Sequence, residues 1–206
     1  MSLRLHRLLI VAIFAVSQIG VTGHAAPLPR ISEDQVSPKG TFKVVLHTHE
    51  PKGAPADTDI IDVWLEGLDA VFPTQRLASY QLATPKLLIS EDDLFIAVNH
   101  RVGSSLSEMH VFARGKGGLF VECKKDYWKA NLPELVAQRK VSKLSDIDHR
   151  YCSAIRWSSD GVLLAELGGH GGEIMIGEWP FIYDVKKDQF SWDRSKIEAI
   201  ATHGEH

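Results

Sequence analysis

Three times along this chain a turn that begins with serine runs straight into a short apolar strand, and that recurrence limits the fold more than any other feature. Ser37-Pro38-Lys39-Gly40 leads into Thr41-Phe42-Lys43-Val44-Val45-Leu46. Ser90-Glu91-Asp92-Asp93 leads into Leu94-Phe95-Ile96-Ala97-Val98. Ser158-Ser159-Asp160-Gly161 leads into Val162-Leu163-Leu164-Ala165. Serine or aspartate bonds its own backbone two residues on, and glycine or aspartate at the turn exit tolerates a positive φ. Each unit continues alike. A loop and a second strand are expected over 59–66, 108–114 and 173–184, then a shorter third strand over 70–74, 118–123 and 189–192. A strand also precedes two of the turns, over 79–89 and 151–157. Short strands punctuated by turn residues predict a mainly β chain, an open antiparallel meander or a small sandwich.

The interval between the second and third turns is longer because it carries an insertion. Asn131-Leu132-Pro133-Glu134 suits a helix start, with Asn131 as cap and Pro133 in the first turn. Leu132, Leu135 and Val136 then repeat at helical spacing. One short inserted helix is expected over 132–139.

The N-terminus reads as an export signal. Arg4 and Arg7 precede an apolar run over 8–21, and Gly23-His24-Ala25 supplies small residues where a signal peptidase cuts. The run is shorter than the ~20 residues a spanning helix needs. Residues 1–25 are therefore expected to be cleaved between Ala25 and Ala26, and the mature chain to be periplasmic or secreted. Residues 26–40, with Pro27, Pro29 and Pro38, form an extended lead-in segment. A single β-rich domain follows over 41–206. No second apolar stretch is long enough to span a membrane. Loss of Arg4 and Arg7 makes the formal net charge of −3 more negative by two, which argues against nucleic acid or an anionic membrane surface as partner.

Cys123 and Cys152 both fall in the mature domain, in a compartment where disulfides persist. A bridge between them is expected, closing a loop of about 30 residues and stabilising by roughly 3–4 kcal/mol on the chain-entropy model. Two buried free thiols are the alternative.

Candidate sites are few. Gly168-Gly169-His170-Gly171-Gly172-Glu173 reads as a loop between two strands, where His170 and Glu173 could bind a metal or move a proton. His47 and His49 share one face of a strand at period two. His47, His100 and His170 follow equivalent strands, so they form the one candidate metal cluster, at an edge of the sheet. Asp146-Ile147-Asp148-His149-Arg150 reads as surface charge. Ser104, Ser105 and Ser107 lack a nucleophile-elbow pattern. The five tryptophans, mostly within strands, read as core.

The third unit resembles a blade of the periplasmic β-propellers of the Tol-Pal translocation type. Those blades place Ser-Pro-Asp-Gly before an apolar strand and end the next strand in an aromatic residue and aspartate, as Phe181-Ile182-Tyr183-Asp184-Val185 does here. The first unit keeps Ser37, Pro38 and Gly40 but has Lys39 in place of Asp. The middle unit has Asp93 in place of Gly. A closed propeller needs about four blades and this chain offers three. The resemblance thus implies blade-like meanders in an open, partial-propeller-like sheet.

With no reaction motif and no cofactor implied, the leading expectation is a non-catalytic binding or envelope accessory protein. Its partner would be another protein, or a second copy joined through exposed sheet edges. The alternative is a metal-binding protein or hydrolase using His47, His100 and His170.

Overall fold

The structure is a computed structural model that describes residues 30–31, 35–51, 53, 59–81, 83–158 and 161–202. The expected signal peptide, its cleavage site at Ala25 and Ala26, and part of the 26–40 segment lie outside the described residues. The chain is mainly β, as its punctuated strands predict. After a two-residue strand β1 (Arg30–Ile31), one four-strand order recurs three times. The first unit is β2 (Gln35–Val36), β3 (Phe42–His49), β4 (Ile60–Gly67) and β5 (Gln75–Gln81). The second is β6 (Lys86–Ile89), β7 (Phe95–Arg101), β8 (Leu106–Arg114) and β9 (Phe120–Glu122). The third is β10 (His149–Trp157), β11 (Val162–Gly171), β12 (Ile174–Asp184) and β13 (Gln189–Ser191).

The serine turns sit where the sequence puts them. The Ser37 and Ser90 N–H groups donate to the carbonyls of Phe42 and Phe95, both at 2.9 Å, and the Ser158 N–H donates to Val162 at 2.8 Å. The turn exits Gly40, Asp93 and Gly161 all have positive φ, at 69°, 58° and 74°. Asp93 carries the strain of that conformation for a physical reason. Its carboxylate, 0 % exposed, accepts from Ser37 Oγ and Thr41 Oγ1, both at 2.7 Å, and from the Lys39 N–H at 3.1 Å. The aspartate that replaces glycine in the second turn therefore clamps the first.

The first unit and β1 form one sheet. The second and third units share another, and neither sheet closes into a barrel. Within units the pairing is antiparallel. The link between units two and three is a short parallel pairing of β8 with β10, at Leu106–Arg150 and Ser107–Tyr151. Alternation along each strand then gives two cores. Ile96, Val98 and Phe112 face the first sheet and join Phe42, Val44, Val63 and Leu65. Ala97, Met109 and Val111 face the other way and join Leu163, Ala165, Phe181 and Tyr183 of the third unit.

Four expectations are corrected. The third strand of the first unit is not at 70–74, and the run 79–89 is not one strand. Asp69 accepts from the N–H groups of Val71 and Phe72 and makes a turn there, so β5 starts at Gln75, and β6 follows a break at Pro85. The inserted helix α1 spans Tyr127–Ala137, not 132–139. Asp126 is its cap, accepting from the Lys129 N–H at 3.0 Å. The buried stripe is Tyr127, Trp128, Asn131 and Leu135, with Pro133 inside the helix. A second helix α2, Arg194–Thr202, lies beyond the third unit. Arg156 ties it down by donating to the carbonyls of Ile200 and Ala201. Lastly, the glycine run is strand rather than loop: β11 continues through Gly171 and turns at Gly172. A Cβ on Gly169 would lie 2.6 Å from the His149 carbonyl oxygen, and one on Gly171 2.3 Å from that of Asp146. The glycines let the 146–149 backbone lie directly on β11.

Candidate functional site

The two neighbours of β8 on one edge do not meet. On the opposite edge β7 pairs with it from Ser107 to Ala113. On this edge β10 leaves after Ser107, and β9 joins only at Phe112, with the Cys123 N–H donating to the Val111 carbonyl at 2.7 Å. Residues 108–110 thus carry an edge with no strand neighbour on that side. Because Val111 directs its carbonyl toward β9, alternation directs the main-chain groups of Met109 into the gap. The gap opens as a cleft of about 610 Å³. One lip is the 122–128 segment that enters α1. The other is the start of β10, with Arg150 and Cys152.

Charge in the cleft is largely paired within the chain. Glu122 Oε1 accepts from His110 Nδ1 at 2.8 Å, and Glu108 lies 3.6 Å from His110 Nε2. Lys125 donates to Asp188, which also accepts from the Tyr183 hydroxyl. Asp126 pairs with Lys129 at 3.1 Å. Partial burial pushes the Asp126 carboxyl up, but its bonds to Lys129 and the nearby Arg150 charge outweigh this and hold it below the usual carboxylate value.

Two polar atoms in the lining residues are unsatisfied. Tyr127 Oη and Trp128 Nε1 are buried without a hydrogen-bond partner, in residues only 5 % and 6 % exposed. Burial, then the charges of Tyr183 and the two cysteines, pushes the Tyr127 hydroxyl far above its ordinary value. An unmade hydrogen bond costs about 1–3 kcal/mol at such a position, and both rings pack into the core between the second and third units.

Cys123 and Cys152 both line the cleft, one on each lip, as free thiols. The expected disulfide is not formed, because β8 and the gap beside it hold β9 and β10 apart. Burial pushes both thiols up, Cys152 strongly, which disfavours the thiolate a nucleophile needs. Nor does Cys123 meet His110. Glu122 lies directly opposite Phe112, so Glu122, His110 and Glu108 share one face and Cys123 points to the other.

The histidines singled out in the sequence do not gather. His47 sits on the first sheet opposite Asp62, beside Trp64. His100 is buried, lies tilted against the Tyr80 ring and donates from Nε2 to the Gln81 carbonyl at 2.7 Å. His170 stacks on His149 across β10 and β11, with ring centroids 4.2 Å apart. Among the described residues no three His, Cys, Asp or Glu side chains are placed to hold a metal ion. Glu173 lies exposed in the β11–β12 turn. Asp146-Ile147-Asp148-His149-Arg150 divides: Ile147 is core, His149 pairs with His170, and Arg150 lines the cleft. Ser107 donates to the His100 carbonyl, while Ser104 and Ser105 form no relay.

Sequence reasoning missed Glu108, His110, Glu122, Tyr127 and Trp128. Period two along 108–112 puts Glu108 and His110 on one face, but their meeting with Glu122 needs the β8–β9 register. Tyr127 and Trp128 lie among Lys124, Lys125 and Lys129, which hides the helical stripe. No protein-family model matches the chain, and no curated protein matches it in sequence.

Proposed function

We propose that this chain is an exported, non-catalytic binding domain that takes an extended segment of a partner protein into the cleft beside β8. One observation carries the reading: over residues 108–110 the β8 edge faces a cleft instead of a strand. A segment added at such an edge gains main-chain hydrogen bonds, and the flanking pockets select its side chains. Three residues of edge span about 10 Å, so the cleft reads a short stretch. The thiols favour binding over catalysis: Cys152 is buried, Cys123 is half-buried on the face away from His110, and burial raises both.

The test uses the mature chain, 26–206, and a pool of random hexapeptides. Hydrogen exchange by NMR should show the Met109 amide slowing as the pool is added, while amides of the β3–β4 ladder do not change. Unchanged exchange at Met109 with millimolar peptide overturns the reading. Export is tested separately. The chain recovered from a secreting host should begin at Ala26, and an intact Met1 on extracytoplasmic protein would remove that part.

A further inference from the structure

We infer that the gap beneath α2 is a binding site for the alkyl chain of a small amphiphile. This site is separate from the β8 cleft and lies on the face of the third unit turned away from the second. Leu163, Phe181 and Tyr183 point into the core, so alternation turns Val162, Ile182, Asp184 and Ser191 outward. The registers agree, with Val162 opposite Asp184 and Ile182 opposite Ser191. Helix α2 returns over this outer face. Lys196, Ala199 and Ile200, at helical spacing on its underside, roof a cavity of about 410 Å³. Small-molecule sites run from roughly 300 to 1,000 Å³.

Hydrogen bonds at its two ends hold α2 in place, and packing contributes little. Asp193 caps the start, accepting from the Ser195 N–H at 3.0 Å, and Arg156 donates to the carbonyls of Ile200 and Ala201 at 3.1 and 2.8 Å. Between these ties no α2 residue is buried, and Ile197 and Ile200 stay half-buried. A helix laid on a sheet ordinarily buries such an apolar stripe against it. Here Val162 and Ile182 below and Ile200 above line a gap instead. The charge at its mouth is paired within the chain. Asp184 accepts from Lys187 Nζ at 2.8 Å, and Asp193 lies 3.7 Å from Lys196 Nζ. The site therefore needs no ionic partner, and what it lacks is apolar filling. An unbranched alkyl chain supplies that and leaves its polar head at the mouth, beside Lys187 and Lys196.

A free fatty acid and a neutral acylglycerol share this chemistry, and the probes separate them. Hexanoate, octanoate, dodecanoate and the glycerol monoester of dodecanoate are titrated against the mature chain, 26–206, below their micelle concentrations. The readout is the methyl NMR signals of Val162, Ile182 and Ile200. Binding should tighten by up to about fourfold for each added methylene as the chain fills the gap. The tighter of dodecanoate and its ester identifies the source. Ala199→Phe fills the gap from the roof, so it should displace about two methylenes and weaken dodecanoate about tenfold. Val162→Phe does the same from the floor if the first variant melts early. Methyl signals that stay still, affinity that does not change with chain length, or undiminished binding by both filled variants overturns the proposal. Slowing of the Met109 amide by dodecanoate would put the alkyl chain in the β8 cleft and overturn it too. Unchanged Met109 exchange keeps the two sites distinct, so failure here leaves the peptide-binding reading where it stands.

Discussion

Between the first and second units Phe42, Phe72 and Phe120 close on one another, with Phe42 and Phe72 stacked at 4.8 Å and Phe120 edge-on to Phe42 at 5.6 Å. Between the second and third units a helix is wedged in, and Tyr127, Trp128, His149 and Trp179 keep buried polar atoms without partners in that half of the molecule. On the first seam only Tyr80 does so among the described residues. The two seams join units of the same strand order in different ways: the first packs one sheet against another, and the second joins two units within one sheet. The first is sealed by ring packing and by the Asp93 clamp across the turns. The second is held by a short parallel pairing and leaves part of β8 open. A protein that sealed both seams would have no cleft. Among the described residues, hydrogen bonds are less fully satisfied at the second seam than at the first.

The comparison breaks first at Phe42. Phe42→Ala should lower unfolding free energy by about 4 kcal/mol, read as a shift of the urea midpoint. A loss under about 1 kcal/mol would mean the first seam is not a close-packed core. Asp93→Ala comes next, at roughly 3 kcal/mol, because it strands buried donors at Ser37 and Thr41. Asp93→Gly should recover part of that loss by relieving the positive φ. If the two variants melted together, the clamp and not the backbone would account for the whole effect.

On the second seam the sign reverses. Tyr127→Phe removes an unpartnered hydroxyl and keeps the ring, so it should stabilise by about 1 kcal/mol. A destabilised Tyr127→Phe protein would show that the hydroxyl is satisfied and the seams are alike. The smallest effect is acid sensitivity at the lip. The Asp126 carboxyl lies below its ordinary value in the folded chain. Its contribution to the α1 start is therefore present above about pH 4 and lost as pH falls through the folded value. The Lys129 amide shift should titrate below that pH and should stop doing so in Asp126→Asn. Titration well above it would contradict the assigned pairing.

The strand and turn pattern was largely legible in the sequence, because turn chemistry is local. A serine, a residue that tolerates positive φ and an apolar run shape each turn locally, and the first turn gains the Asp93 clamp besides. The helix was legible as an insertion but misplaced, since Asn131, which reads as a cap, is buried at 0 % exposure and bonds Trp192 instead. The cap role passed to Asp126. The C-terminal helix went unread although Asp193 caps it through the Ser195 N–H at 3.0 Å.

The sequence by itself determined a mainly β chain with three serine-led units, and the period that sets which residues along a strand share a face. It did so because turn propensity and side-chain alternation act over a few residues. Only the tertiary structure decided that the glycine run is a strand under another backbone, that Cys123 and Cys152 stand apart, and that His47, His100 and His170 are scattered. Only it decided that β9 and β10 leave a gap beside β8. Those outcomes depend on register between strands far apart in the chain, and a change of one residue in register turns every side chain to the opposite face.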